Sequence, residues 1–183
     1  MIHHAIGLVE FSSIAQGIEG SDIMAKTADI LILFAKTTCP GKYIVLVSGD
    51  VSAVQQAVNA GIELGAESVL DHFVIPNVHS SVLPAISGAN LVGDIKAIGV
   101  IETFSVASSI EAADAAVKAG EVEPLRLHLA FGIGGKSYLV VTGEVAAVKS
   151  AVEAGSMVAA AKGLLVRKVI IPRPAKQVIE TLL

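Results

Sequence analysis

One cysteine in 183 residues rules out a disulfide framework, and no tryptophan with only 4% aromatic side chains leaves few large rings for a core. A lone Cys39 excludes an internal disulfide and is consistent with a reducing compartment, as a free thiol or a metal ligand. Basic runs are missing as well. The 13 lysines and arginines are scattered among 17 acidic residues, for a net charge of −4, which argues against a protein that neutralises a nucleic-acid backbone. Apolar stretches such as Ile30 to Ala35 and Ile44 to Val47 fall far short of the roughly 20 residues that a membrane span needs. Met1-Ile2-His3-His4-Ala5 carries no basic segment ahead of an apolar core, and Glu10 interrupts the apolar run after it, so no secretory signal and a cytoplasmic location are expected.

What is abundant is apolar surface, at 53% of residues, enough to fill one or two small domain cores. With no membrane span to absorb the excess, large contacts between subunits are its natural sink, and an obligate oligomer is expected.

The sequence repeats once. Ala5-Ile6-Gly7-Leu8-Val9-Glu10 returns as Ala97-Ile98-Gly99-Val100-Ile101-Glu102, and Asp22 and Lys26 return as Asp114 and Lys118. Gly41-Lys42 matches Gly135-Lys136, Gly49-Asp50 matches Gly143-Glu144, and Val74-Ile75-Pro76 matches Ile170-Ile171-Pro172. A period this long means two copies of a whole domain, because solenoid units run about 20 to 50 residues. The turn-rich stretch from Ser87 to Asp94 reads as the connection, which gives a first domain over 1–88, a linker over 89–96 and a second domain over 97–183.

Within each copy, strand and helix signals alternate. Ala5 to Val9 reads as a strand, and Ser13 followed by Gln16 offers a capping box for a helix through about Lys26. Val106, Ile110, Ala113 and Val117 show the helical period in the second copy. Ile30 to Ala35 and Tyr43 to Val47 read as strands joined by Lys36 to Lys42. Asp50 caps a second helix with Val51, Val54 and Val58, and Val69 to Ile75 is a fourth strand. The order strand, helix, strand, strand, helix, strand predicts an α+β fold, two tandem ferredoxin-like split βαβ domains with helices on one side of a mainly antiparallel sheet.

In order and spacing, seen twice, these motifs resemble tandem bacterial microcompartment (BMC) shell domains. They are the opening Ala-Ile-Gly-x-x-Glu, the Asp22/Lys26 and Asp114/Lys118 pairs, the Gly-Lys and Gly-Asp/Glu steps, and Ile170-Ile171-Pro172-Arg173-Pro174. The resemblance implies a structural, non-enzymatic shell protein: a pseudo-hexameric homotrimer tiling with other shell proteins in the microcompartment shell, within the cytoplasm. It also implies tile-edge contacts through Lys26, Lys118 and Arg173. Asn77 stands where the first copy would carry the arginine, so alternate edges of the tile should differ.

In this family the connection between the second and third strands lines a central pore, which implies pore positions at Thr38, Cys39, Pro40, Ile133 and Gly134. Ala130-Phe131-Gly132-Ile133-Gly134-Gly135-Lys136 runs through Ser137 into a strand, not into the helix on which a phosphate cradle's Gly-Lys-Ser/Thr ending must sit. A free cysteine is usually a small buried apolar residue, whereas Lys36, Lys42 and the Pro40-Gly41 turn describe an exposed electropositive loop that favours the metal-binding thiolate. Thr-Cys-Pro-Gly-Lys, Ser81-Val82-Leu83-Pro84-Ala85-Ile86-Ser87-Gly88 and the second loop look like the iron–sulfur-carrying tandem shell proteins of propanediol-utilisation compartments. That likeness implies one iron–sulfur cluster per trimer, a [4Fe-4S] centre held by three copies of Cys39. Its implied role is electron transfer across the shell to an encapsulated or external redox protein.

Two alternatives stay open: a tile whose loop is a plain metabolite pore, and a duplicated small-ligand-binding domain. His3, His4, His72, His79 and His128 share no metal-ligand spacing. Glu10, Glu102, Asp22 and Asp114 recur in both copies and read as parts of the fold, and no catalytic constellation is expected.

Overall fold

Strand alternation and helical stripes succeed one another twice along the chain, and so do the elements of the fold. The computed structural model describes residues 5–89 and 95–182. The first repeat forms β1 (Ala5–Phe11), α1 (Ile14–Thr27), β2 (Ile30–Thr38), β3 (Lys42–Gly49), α2 (Val51–Gly65), β4 (Val69–Ile75) and a short α3 (Val82–Ser87). The second forms β5 (Ala97–Thr103), α4 (Val106–Ala119), β6 (Val122–His128), β7 (Ser137–Gly143), α5 (Val145–Ala161), β8 (Leu165–Pro172) and α6 (Lys176–Leu182). The strands make two antiparallel sheets, β2-β3-β1-β4 and β6-β7-β5-β8, the expected α+β split βαβ arrangement.

The chain packs as two compact units. The first takes in the chain up to Val78 together with Ser105–Ala107 and Phe131–Gly135, and the second takes in His79–Phe104, Ser108–Ala130 and the chain from Lys136. In the second unit α3 packs on β6, and the His79 N–H donates to Asp114 Oδ1 at 2.8 Å. Of the linker expected over 89–96, residues 90–94 lie outside the described residues, as do His3 and His4.

In the first unit the core lies between one sheet face and the helices α1 and α2. Ala5, Val9 and Phe11 of β1 meet Val45 and Val47 of β3, Met24 of α1, and Val54, Ala57 and Val58 of α2. Val51, which shares the helix with Val54 and Val58, is 44% exposed. Gly7 lets α2 lie close to the sheet, since a Cβ there would fall 2.6 Å from Val58 Cγ2 and 2.7 Å from Val54 Cγ1.

Local signals differ from the sequence expectation at three places. Ser13 Oγ accepts from the Gln16 N–H at 3.3 Å, but the Gln16 side chain turns to the carbonyls of Leu64 and Gly65, so only half of the capping box forms. Asp50 is the N-cap of α2 through its backbone, and its side chain makes no cap hydrogen bond. The strand expected to stop at Ala35 runs on to Thr38, pairing Lys36 with Ile44, Thr37 with Tyr43 and Thr38 with Lys42. β-Branched Thr37 and Thr38 suit a strand, and Gly41, at φ 84°, supplies the left-handed position that closes a three-residue hairpin.

Replacing Gly7 by Ala should lower unfolding stability by about 1–3 kcal/mol, because the stiff valines of α2 must move to admit the methyl group. Urea denaturation monitored by circular dichroism measures this.

Candidate functional site

The hairpin tip Cys39-Pro40-Gly41 comes directly after the pairing of Thr38 with Lys42, so the thiol is set by sheet register. Thr38 is buried, Cys39 half-buried, and Pro40 and Gly41 exposed; the Cys39–Pro40 peptide is cis. The glycine-rich segment Phe131–Gly135 belongs to the same compact unit, and its Gly132 N–H donates to Cys39 Sγ at 3.3 Å. Gly135 is obligatory here, because its φ is 84° and a Cβ would fall 2.5 Å from Pro40 Cδ. Thr38, Cys39, Pro40, Ile133 and Gly134 therefore lie in one unit, with Ile133 37% and Phe131 46% exposed.

Both lysines that the sequence places around the thiol have other partners. Lys36 sets its ammonium 4.4 Å from the Phe34 ring centroid and 5.1 Å from that of Phe131, a cation–π arrangement in which burial pushes its pKa below the ordinary lysine value. Lys42 donates to Glu10 Oε1 at 2.8 Å. The donor at the sulfur is a backbone N–H, not an ammonium.

Glu10 is wholly buried at the end of β1, on the face of the sheet away from α1 and α2. Its Oε2 accepts the N–H groups of Val106 and Ala107, at 2.8 and 3.2 Å. These are first-turn amides of α4, which lack intrahelical partners and sit at the positive end of the helix dipole. Beside it Asp71 accepts the Ser105 hydroxyl through Oδ2 and the His72 N–H through Oδ1, the latter at 2.8 Å. Sequence alone marks Glu10 through its repeat at Glu102; the partner lies 96 residues away and leaves no local signal. Glu102 pairs with Lys136 at 2.8 Å and is half-exposed.

The edge candidates lie at helix and strand ends. Lys26 pairs with Asp22 at 2.5 Å, both well exposed. Lys118 pairs with Asp114 at the same distance, but Asp114 is buried and also holds the His79 N–H, so the two lysines are not equivalent. Arg173 is exposed at φ 50°, with its N–H donating to the Lys96 carbonyl at 2.9 Å. Among the described residues no three or more His, Cys, Asp or Glu side chains converge as a metal site. One chain offers a metal cluster one thiolate, so Cys39 fits such a group only as one ligand of several supplied by symmetry-related chains.

His128, at the base of the second loop, stacks on Tyr138 with ring centroids 5.1 Å apart, and its Nδ1 is buried without a hydrogen-bond partner among the described residues. Desolvation, and then the charge of Arg126, push its pKa below 6.5.

Comparison with known proteins adds the family context. The BMC domain model matches residues 5–78 and 97–174. The bacterial microcompartment shell protein PduT of Citrobacter freundii is 52% identical over 170 residues, covering 93% of this chain and 92% of that protein. The crystal structure of a microcompartment protein from Desulfitobacterium hafniense DCB superposes with a TM-score of 0.85 at 53% identity, over 97% of this chain and 99% of the other. The fused permuted hexameric shell protein MSM0275 from the RMM microcompartment shares the fold, with a TM-score of 0.66 at 20% identity over 86% of this chain and 82% of that one.

Two substitutions probe the buried groups. Glu10→Ala should cost about 3–5 kcal/mol in urea unfolding, since it removes the acceptor of Lys42 and of the first α4 amides at a buried site. For His128 the folded imidazole is harder to protonate than the unfolded one, so the unfolded chain gains protons first as pH falls below 6.5. The stability of wild type relative to His128→Phe should therefore fall through that window and level off below the folded pKa, which unfolding curves across a pH series will show.

Proposed function

Because the chain belongs to the BMC-domain family, as a microcompartment shell protein with the domain present twice, we propose that three copies close into a six-domain tile. The Cys39 hairpins line its axis and hold an iron–sulfur cluster. The shell of a bacterial microcompartment is where it resides. One observation carries the finer reading: the only thiol sits half-buried at the tip of a three-residue hairpin and receives a backbone N–H from the glycine-rich loop.

In that reading each chain would give one Cys39 thiolate, so three symmetry-related chains would hold the cluster together, with a ligand other than cysteine needed to complete a four-ligand set. A cluster held there would supply one-electron transfer through the shell. Gly132 steadies the sulfur with its N–H, a contact that tunes sulfur ligands, and Pro40 and Gly41 set the hairpin that presents it. Phe131 and Ile133 add apolar surface to the same loop. Pro40, Ile133 and Gly134 complete the lining of the axis, whereas Thr38, expected among them, is buried behind the hairpin; Lys26, Lys118 and Arg173 meet neighbouring shell proteins at the tile edges. Such edge contacts rest on aliphatic stems and carbonyls more than on charge, because exposed ion pairs contribute little. The Thr-Cys-Pro-Gly-Lys stretch supports a compartment of the propanediol-utilisation type, with a redox protein as the electron partner.

The test is anaerobic purification of wild type and Cys39→Ser, with native mass, visible absorption and iron and sulfide analysis. Wild type should be a coloured trimer with about four irons, and the variant a colourless trimer. An iron-free wild-type trimer after reconstitution would leave a tile with a metabolite pore and sink the cluster reading.

A further inference from the structure

The two copies of the domain differ in what they leave uncovered. On the first sheet, the face bearing Ile6, Leu8 and Glu10 with their register partners Ile75, Phe73 and Asp71 is buried throughout, at no more than 7% exposure. The same face of the second sheet bears Ile98, Val100 and Glu102 with Ile171, Val169 and Arg167. There Ile98 is buried, but Val169 and Ile171 are each 36% exposed, Arg167 is exposed, and Val100 and Glu102 are half-exposed. The helices show the opposite asymmetry. α4 buries Val106, Ala107 and Ile110 completely, whereas the matching residues of α1 are open, with Ile14 40% and Ile18 56% exposed.

We propose that this open face of the second sheet is the seat for the first turn of α1 from a second copy of this chain. Glu102 Oε2 there accepts the N–H groups of Ile14 and Ala15 of the incoming copy. The inference rests on the trimer reading and gives it a contact. Its template lies within the first compact unit, where Glu10 Oε2 accepts Val106 and Ala107, the residues that correspond to Ile14 and Ala15.

Glu102 is prepared for the same task. Its Oε1 is held by Lys136 as Glu10 Oε1 is held by Lys42, and its Oε2 has no partner among the described residues. First-turn amides of a helix have no intrahelical acceptor, and a carboxylate complements the positive end of the dipole. Ile14 and Ile18, one turn apart on a single stripe, are placed to cover Val169 and Ile171. Arg167 replaces Asp71, so the serine that precedes the helix would meet a donor; Ser13 Oγ already acts as an acceptor toward Gln16. Because helix start and sheet face are different surfaces, the contact runs head to tail, and it can close into a ring.

Two variants test the seat in the full-length chain. Glu102→Ala removes the acceptor. Ile14→Pro removes one donor at a position where helices tolerate proline, and Ser13, at φ −115° and ψ 127°, already has the extended backbone required before it. Mixing isotopically light and heavy protein and tracking subunit exchange by native mass spectrometry should show exchange at least about tenfold faster for either variant, the scale of one lost charge-assisted contact. The double variant should be no worse than the worse single, and circular dichroism should show folded chains. Wild-type exchange rates in both variants would overturn the seat while leaving the trimer standing. A wild type that runs as a single chain at every concentration would overturn both.

Discussion

A carboxylate taken wholly out of water must be compensated where it stands, and the region around the thiol depends on how Glu10 meets that demand. Strand alternation points it away from the α1 and α2 side of the sheet, where it finds one ammonium and two helix-start amides. Lys42 is the first residue of β3 and the pairing partner of Thr38, so the ion pair also fixes the strand end from which the Cys39 hairpin springs. The position of the sulfur is set by a buried charge on a neighbouring strand as much as by the hairpin itself.

Duplication gave the chain two copies of one arrangement, and small substitutions have separated their roles. The Glu10–Lys42 pair is nearly solvent-free, at 0% and 15% side-chain exposure, whereas Glu102–Lys136 stands at 32% and 45%. Beside the first pair lies Asp71, beside the second Arg167. One β–β connection is a three-residue hairpin with the thiol, the other a longer glycine-rich loop that packs in the same unit as that hairpin. The backbone plan is shared, and the chemistry is carried by a handful of side chains on it.

The repeat, the element order and the family are legible because they are written locally, in strand alternation, helical stripes and serine or glycine punctuation. Tertiary facts are not. Lys36 looks like a charge available to Cys39, but its ammonium lies over the rings of Phe34 and of Phe131, the latter 95 residues later. Glu10 looks like half of a repeated motif, and nothing near it in sequence announces the α4 amides. The extension of β2 to Thr38 is hidden because Lys36 and Thr37 break the apolar run while still pairing with β3. The short α3, six residues with a proline among them, is too brief to show a helical period.

In the trimer reading, the open apolar residues on α1 and on β8 have a cost for a chain that has not yet met its partners. Ile14, Ile18, Val169 and Ile171 are the kind of surface that chaperones hold and that promotes aggregation when chains are crowded. In that reading a newly made copy would have a limited useful life on its own, and its abundance in the cell would be tied to how promptly those two surfaces are covered.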